Sequence, residues 1–421
     1  MTVDDRTDTW TDAAARAVLR RMFDAAVGAA DPGKVLAAHL PEPPKGRCVI
    51  VGAGKAAAAM AAAVDAAWPD VPLGGAVVTP YGYALPAGRI AVREAAHPVP
   101  DANSELAARE MLDLVAGLTP DDLVLALISG GGSSVMTLPA PGLTLADKQA
   151  LNRALLASGL DIRSMNAIRR RLSGVKGGRL AAAAQPARVV TLAISDIPGD
   201  DAAAIASGPT IPDPDARRDL RSFAMKLKPH ISEAAYRRLV EPPAPQPEQP
   251  EPDVRLISTP RGCLEAAARV ARAAGLEVEL LGDDLEGESR VLGEQMASCA
   301  RRPAAHARVL LSGGETTVTV RGKGRGGRNV EYLLAEAIAA DGAAGIWGLS
   351  ADTDGVDGAE EIAGAVFTPD TLARARAKGR DPQAVLDDND GHGFFGMLGD
   401  SLVTGPTRTN VNDFRVTLIA P

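Results

Sequence analysis

The stretch RCVIVGAGKAAAAM, residues 47–60, joins a short run of apolar residues, a glycine-rich turn and an alanine-rich segment. A continuous apolar run rich in valine and isoleucine is typical of a strand that is buried on both faces. Alanine is the strongest helix former, so a helix is expected to follow the turn. The order of strand, glycine turn and helix predicts an open α/β fold with a mostly parallel sheet.

The same alternation continues along the chain. In the first half, strands are predicted at 47–51, 76–79, 123–128 and 188–194, with helices at 55–67 and 145–158. In the second half, strands are predicted at 254–257, 278–281, 309–311, 316–320 and 346–349, with helices at 261–274 and 328–340. Strand 316–320 follows its predecessor too closely for a parallel crossover, so the second sheet is predicted to be mixed. The expected fold class is α/β, with two three-layer α/β/α domains.

A proline-rich, acidic segment separates the two halves. It reads EPPAPQPEQPEPD and covers residues 241–253. Proline fixes φ and removes a hydrogen-bond donor, so an extended, polyproline-like linker is expected. The predicted domains are therefore 1–240 and 254–421.

Composition excludes several classes of protein. Of the 421 residues, 46% are apolar and 23% charged, which indicates a globular chain, and the net charge of −8 argues against a nucleic-acid binder that uses a basic face. The three cysteines, Cys48, Cys263 and Cys299, form no C-x-x-C pair, which suits a reducing compartment. No segment of about 18 uncharged apolar residues is present, and residues 1–12 lack the apolar core of a signal peptide. A cytoplasmic protein without membrane partners is expected.

Five polar loops follow predicted strands: VGAGK (51–55), LISGGGSS (127–134), AISDIPGD (193–200), LLSGGE (310–315) and LSADTDG (349–355). Any one of them could be an ordinary turn, because strand-to-helix turns need glycine and a helix-capping Ser or Asp. Ligands of open α/β sheets bind at the carboxyl ends of strands. Together the loops therefore predict an active cleft.

One loop has the composition of a phosphate cradle. Three consecutive glycines bring backbone N–H groups close to a ligand, and serines add hydroxyl donors. The candidate phosphate- and nucleotide-binding residues are Ser129, Gly130, Gly131, Gly132, Ser133 and Ser134, together with Lys176 and Gly177 from a basic cluster at 169–179.

Two glycine patterns leave the type of ligand open. Gly52, Gly54 and Ala57 fit the dinucleotide fingerprint, and so do glycines 322, 324 and 327. In the first pattern Lys55 stands at a helix N-terminus, where an anionic ligand would offset the unfavourable helix dipole by binding both the lysine and the amides. In the second, Arg328 can hold a carboxylate or a phosphate through two hydrogen bonds. Asp196 follows a buried strand and is a candidate Mg²⁺ ligand or base.

As a set, these motifs resemble the glycerate 2-kinases that carry a MOFRL-type C-terminal region. The motifs GAGKA, HPVPD (97–101), SGGGSS, KGG, SDIPGDD with SGPT, SGGE, GGRNVE and DTDGVDG occur in that family's order, from about residue 10 to the C-terminus. One departure is Ala96, where the family has a glycine before HPVPD.

The resemblance implies a Rossmann-like first domain, a second α/β domain and an active site between the domains. It implies phosphorylation of D-glycerate to 2-phospho-D-glycerate with ATP and Mg²⁺ as cofactors. Lys55 and Arg328 are expected to be catalytic with Asp196, and Glu315 and Asn329 are expected to join them at the substrate. Asp196 and Asp354 are the expected metal ligands, and a monomer or homodimer is expected.

Two alternatives come from other classes. An NAD(P)-dependent hydroxypyruvate reductase would use the two glycine patterns, although no acidic residue at a strand end about 20 residues downstream is clearly placed for a ribose. A non-catalytic sensor of sugars or nucleotides would use the same loops for binding alone.

Overall fold

The computed structural model describes residues 10–242, 250–360 and 362–421. The central part of the predicted polyproline-like linker, 243–249, lies outside the described residues. The strands are β1 (Cys48–Ala53), β2 (Leu73–Pro80), β3 (Ile90–Ala95), β4 (Leu123–Ile128), β5 (Arg188–Ile194), β6 (Asp253–Ser258), β7 (Glu277–Gly282), β8 (Gly287–Glu288), β9 (Arg308–Ser312), β10 (Thr316–Thr317), β11 (Ile346–Asp352), β12 (Gly364–Phe367), β13 (Ser401–Leu402) and β14 (Asp413–Ile419).

The helices are α1 (Asp12–Ala29), α2 (Pro32–Val35), α3 (Ala57–Ala67), α4 (Ala102–Val115), α5 (Gly132–Val135), α6 (Leu145–Leu156), α7 (Ile162–Arg171), α8 (Arg179–Ala183), α9 (Arg221–Leu227), α10 (Glu233–Val240), α11 (Pro260–Ala273), α12 (Ser289–Ala300), α13 (Arg328–Ala340), α14 (Thr371–Ala377), α15 (Pro382–Asp387) and α16 (Gly391–Leu398). Short 3₁₀ helices occupy Leu36–His39, Pro198–Asp200, Ile205–Ser207 and Lys228–His230. None of the helices in the described ranges is long and apolar enough to cross a membrane.

Residues 31–259 and 408–410 form one compact unit, called here the parallel-sheet unit. Its six strands follow the order β3-β2-β1-β4-β5-β6, and every pairing between neighbours is parallel. This is the strand order of the Rossmann fold. The central strands β1 and β4 are buried along their whole length, as their unbroken apolar runs predict.

Residues 10–30, 260–407 and 411–421 form the second compact unit, called here the mixed-sheet unit. Its six-stranded sheet has the order β13-β12-β11-β14-β9-β7, in which only the β7–β9 pairing is parallel. The mixed sheet is confirmed, but for a different reason from the one predicted. The strand predicted at 316–320 is the short β10, which pairs with β8 outside this sheet, and the antiparallel pairings come from β12, β13 and β14.

The predicted domain boundaries differ from the structure at two places. The apolar run at 254–257 lies in β6, which joins the first sheet beside β5, so the two units divide near residue 259 instead of at the proline-rich segment. The N-terminal helix α1 belongs to the mixed-sheet unit, where it packs against α11. Phe23 of α1 makes an edge contact with Phe414 of β14, and Trp347 Nε1 donates a hydrogen bond to Asp12 (2.7 Å).

Candidate functional site

The polar loops lie at the carboxyl ends of strands, as predicted, and divide between the units. In the parallel-sheet unit they follow the adjacent strands β1, β4 and β5. In the mixed-sheet unit they follow β9 and β11, which flank β14. Lys55 and Asp196 therefore belong to one unit and Arg328 to the other.

The turn after β1 packs against the turn after β4. The Lys55 N–H donates to the Gly130 carbonyl oxygen (2.9 Å), and the Ala56 N–H donates to Ser129 Oγ (3.0 Å). At Gly54, φ is +130°, and a Cβ atom there would lie 2.4 Å from the Ser129 carbonyl oxygen. The prediction that these amides receive an anionic ligand is therefore wrong, because the protein itself already pairs them.

The glycine-rich loop after β4 keeps unpaired amides of its own. Gly131 has φ of +77°, which turns successive N–H groups toward one side, as in the backbone nests that bind anions. Within the described residues, the N–H groups of Gly130, Gly131 and Ser133 donate no hydrogen bond to the backbone or a side chain. The Ser133 hydroxyl lies 3.0 Å from that of Ser207. The loop therefore offers donors to a ligand.

This loop forms one wall of a cavity of about 190 Å³ within the parallel-sheet unit. Among the predicted site residues, Gly130, Gly131, Ser133, Ser134, Lys176 and Asp196 line it. The Lys55 side chain lies beside the same loop, since a Cβ on Gly131 would lie 3.5 Å from Lys55 Cγ and 3.3 Å from His97 Nε2. The structure thus brings most of the predicted phosphate-binding residues together.

Lysine and arginine side chains line the cavity on the side of α6 and α7. Lys148 and Lys176 are only 5% and 1% exposed, and Arg169 is partly buried. Lys176 Nζ donates to the Met136 carbonyl oxygen (2.9 Å), and Lys148 Nζ lies 3.4 Å from the Arg169 carbonyl oxygen. In the described part of the chain, none of the three forms an ion pair with a carboxylate. The cavity therefore holds three basic side chains without a carboxylate partner among the described residues.

Both buried lysines have lowered pKa values while no anion is present. Burial, with Arg169 and Arg179 nearby, lowers the pKa of Lys148 from 10.5 to about 7. Burial also lowers the pKa of Lys176 well below its ordinary value, with further contributions from Lys148 and Arg169. An anion in the cavity would favour the protonated lysines and raise both pKa values.

Asp196 is the acidic residue of the cavity wall. Its Oδ2 accepts a hydrogen bond from Asn410 Nδ2 (3.2 Å), and a Cβ on Gly130 would lie only 2.0 Å from this oxygen. Glycine at position 130 therefore lets the carboxylate reach the loop that carries the unpaired amides.

The rest of the basic cluster at 169–179 is structural. Arg170 and Arg171 are buried, although charges in such a run are usually solvated. Arg170 pairs with Asp213 (2.6 Å), and Arg171 donates to backbone carbonyl oxygens. The Gly177 N–H, a predicted phosphate donor, instead donates to the Ser207 carbonyl oxygen (3.3 Å).

In the mixed-sheet unit, three carboxylates surround Arg328, the first residue of α13. Its Nε donates to Asp413 (2.8 Å), Nη1 to Glu315 (2.7 Å) and Nη2 to Asp352 (2.6 Å). Burial alone would lower the pKa of Arg328, but Asp413, Asp352 and Glu315 together raise it well above its ordinary value. A quarter of the side chain remains exposed. Arg328 is therefore held in one orientation and keeps an accessible edge.

The second glycine pattern also packs against the protein itself. The Asn329 and Val330 N–H groups donate to the two oxygens of Asp357 (both 3.0 Å), at the start of α13 where a dinucleotide pyrophosphate would bind. Burial raises the pKa of Asp357 despite these amide hydrogen bonds. A Cβ on Gly327 would lie 2.3 Å from the same carboxyl group.

The remaining predicted residues of this unit are buried around the Arg328 cluster. Asn329 Nδ2 donates to Asp413 (2.8 Å), and its Oδ1 accepts from the Ser350 hydroxyl (2.7 Å). Asp354 accepts a hydrogen bond from the Val356 N–H (2.8 Å). Across the described ranges, no group of three or more His, Cys, Asp or Glu side chains is arranged to hold a metal ion.

Sequence reasoning missed several residues around the cavity and around Arg328: Lys148, Asn152, Asn166 and Asp413. It included Asp352 only as part of the polar loop 349–355. A weak signal existed for α6, because the spacing of Lys148, Leu151 and Asn152 places them on one helix face. Asp413 carried no local signal, because its importance comes from the register that sets it opposite Asp352 across β11 and β14.

Known proteins resemble the chain along most of its length. It is 53% identical to an Agrobacterium vitis protein provisionally named hydroxypyruvate reductase, over 98% of this chain and 96% of that protein. It is 38% identical to the D-glycerate 2-kinase of Thermotoga maritima, over 92% and 94% of the two chains. The crystal structure of glycerate kinase from Thermotoga maritima matches with a TM-score of 0.86 and 36% identity, covering 97% of this chain and all of that one.

Two families match parts of the chain. Residues 18–240 match a family described as a domain of unknown function, DUF4147, and residues 308–413 match the MOFRL family. The fold and the cavity define an α/β protein of two units with a cavity at the carboxyl edge of a Rossmann-like sheet. The chain belongs to the glycerate 2-kinase family with a MOFRL C-terminal region.

Proposed function

We propose that this kinase transfers the γ-phosphate of ATP to the 2-hydroxyl of D-glycerate and releases ADP. The observation that carries the proposal is the cavity of the parallel-sheet unit, where three unpaired amides face buried cations without carboxylate partners. Such a site binds anions, and both phosphate chains and glycerate are anionic. The relatives named glycerate kinases support this substrate for the present chain.

In this proposal, phosphate oxygens accept hydrogen bonds from the Gly130, Gly131 and Ser133 amides. The Lys55 ammonium, beside the same loop, offsets the charge of the transferred phosphoryl group. The 2-hydroxyl oxygen bonds to the γ-phosphorus as the bond from that phosphorus to the bridging oxygen of ADP breaks, and the hydroxyl proton leaves to a base.

The carboxylate of Asp196 has two possible uses at this position. It suits Mg²⁺, which binds one or two protein carboxylates and completes its shell with phosphate oxygens and water. Bound Mg²⁺ would offset the charge of the ATP phosphates. Alternatively, Asp196 accepts the proton of the 2-hydroxyl. A metal role for Asp354 stays a prediction.

We further propose that Arg328 contributes its accessible edge to the same reaction, with Glu315 and Asn329 beside it. The three carboxylates fix the guanidinium before a ligand arrives, which lowers the entropy cost of binding. That Arg328 and Lys55 act together, after closure of the two units, stays a prediction.

Reduction of hydroxypyruvate is the alternative that the Agrobacterium vitis relative's name suggests. A dinucleotide needs free amides at the glycine turns, and in both turns the protein uses them itself: Ser129 and Gly130 accept from one, and Asp357 from the other. The glycine patterns therefore favour tight packing over nicotinamide binding.

A paired assay tests the proposal. The pure protein is incubated with D-glycerate and Mg·ATP, and separately with hydroxypyruvate and NAD(P)H. We expect ADP release that depends on D-glycerate, with a phosphorus NMR spectrum that shows 2-phosphoglycerate. Oxidation of the nicotinamide with no ADP release would support the reductase, and neither reaction would leave a sensor as the better description.

A further inference from the structure

The cavity has two walls of different chemistry. The loop wall carries the unpaired amides of Gly130, Gly131 and Ser133 with the carboxylate of Asp196. The helix wall carries Lys148 from α6, Arg169 from α7 and Lys176 from the turn that follows α7. Amides suit a phosphate, while a group of fixed cations suits any compact anion.

The cavity has room for a small acceptor beside the helix wall. At about 190 Å³ it accommodates a three-carbon acid. Leu151, Leu156 and Ile162 line it as well, together with the polar side chains of Asn152 and Asn166.

We infer that Lys148, Arg169 and Lys176 bind the carboxylate of the acceptor and thereby select small 2-hydroxy acids. The inference rests on the proposed function and reassigns Lys176 from the nucleotide to the acceptor. In a 2-hydroxy acid the hydroxyl sits one carbon from the carboxylate. A carboxylate held on the helix wall would therefore turn the 2-hydroxyl, more readily than the 3-hydroxyl, toward the loop wall.

The side chains of the helix wall are held in place by the protein. Arg169 lies within 3.4 Å of the amide oxygens of both Asn166 and Asn152. Asn152 Nδ2 donates to the Pro98 carbonyl oxygen (2.7 Å), which ties α6 to the segment that contains His97. The cations are thus arranged before the ligand binds, and a buried charge without a partner is costly unless an anion binds it.

Lys148→Met and Arg169→Met test the inference, because each removes one charge and keeps an apolar side chain. Lys226→Met, on an exposed lysine of α9, is the matched control. Steady-state kinetics are measured with D-glycerate and with D-glyceramide, its neutral amide. We expect each cavity variant to raise the KM for D-glycerate by about 10- to 100-fold, as for the loss of a charged hydrogen bond, with an unchanged KM for ATP. D-glyceramide should be a poor substrate of every form.

Other outcomes overturn the inference. A rise in the KM for ATP would assign the cations to the nucleotide, and unchanged kinetics would leave them without a role in binding. An equal loss toward D-glyceramide and D-glycerate would show that the carboxylate is not what they recognise.

Calorimetric titration separates this inference from the proposed function. Suppose that the unaltered protein transfers no phosphate and still binds D-glycerate but not D-glyceramide. If Lys148→Met then loses this binding, the carboxylate site is supported and only the proposed kinase activity is refuted. Absence of D-glycerate binding would overturn the inference. Melting curves monitor folding, and Arg169→Met replaces Lys148→Met if the latter fails to fold.

Discussion

Replacing Lys148 with methionine is expected to stabilise the unliganded protein, although it removes a binding group. Lys148 is 5% exposed, and burial with Arg169 and Arg179 nearby lowers its pKa from 10.5 to about 7. A change of this size corresponds to about 5 kcal/mol of destabilisation at and below pH 7, because the folded chain must hold a charge that it disfavours. Methionine fills a similar volume without that charge.

The sign of the pH dependence follows from the proton balance. Between about pH 7 and pH 10.5 the unfolded chain keeps the Lys148 proton and the folded chain has released it. The folded state of the natural protein therefore gains stability as the pH rises through this window. The advantage of Lys148→Met should be largest at or below pH 7 and should disappear as the pH approaches 10.5.

Thermal melts monitored by circular dichroism measure this effect without any substrate. For a unit of this size, 1 kcal/mol corresponds to about 2–4 °C, so we expect Lys148→Met to melt at least about 5 °C above the natural protein at pH 6.5. Lys226→Met should melt like the natural protein. If Lys148→Met melts no higher at pH 6.5, the charge of Lys148 is already compensated and the reasoning fails.

Three further predictions concern turnover and are checked by steady-state kinetics with a melt as the folding control. The turnover of Lys55→Ala should fall about 10²–10³-fold while its melting temperature stays unchanged. Near-normal turnover would show that Lys55 takes no part in the reaction. The turnover of Arg328→Lys should fall at least about 10²-fold, because an ammonium cannot replace three guanidinium contacts. Its melting temperature should also fall, because Asp413 stays buried. Full turnover would show that only the charge at this position matters. Asp196→Asn should be nearly inactive at every Mg²⁺ concentration, and activity within a few-fold of normal would exclude both of its proposed roles.

The structure changes the expectation for Arg328 in particular. From the sequence alone it stood at a polar loop end, where its loss should leave folding intact. Asp413 has no exposed side-chain surface and holds both Arg328 and Arg415 through its two oxygens. Removing Arg328 therefore leaves a buried carboxylate with one of its two cationic partners.

Local patterns predicted the five strands that carry the polar loops, because a buried strand needs an apolar run and its turn needs glycine. They did not predict β3, β8, β12, β13 or β14. Patterns do not tell which sheet a strand joins. The run at 254–257 has the composition of any buried strand, and only its pairing with β5 places it in the first sheet. The same limit applies to the cavity: the glycine loop was visible as a motif, whereas Lys148 became a binding residue only when α6 packed beside that loop.

The membership of α1 in the mixed-sheet unit has a consequence for the newly made chain. The buried face of this helix consists of Ala15, Val18, Leu19, Met22, Phe23 and Ala26, and its contacts include α11 and β14. Translation proceeds at about 5–20 residues per second, so roughly 20–80 s pass between the synthesis of α1 and that of β14. During that time residues 31–259 of the parallel-sheet unit can fold from contiguous sequence, while the apolar face of α1 stays without its final partner and is open to chaperones. A fragment that begins at residue 260 would lack this helix altogether and expose the surface that α1 covers.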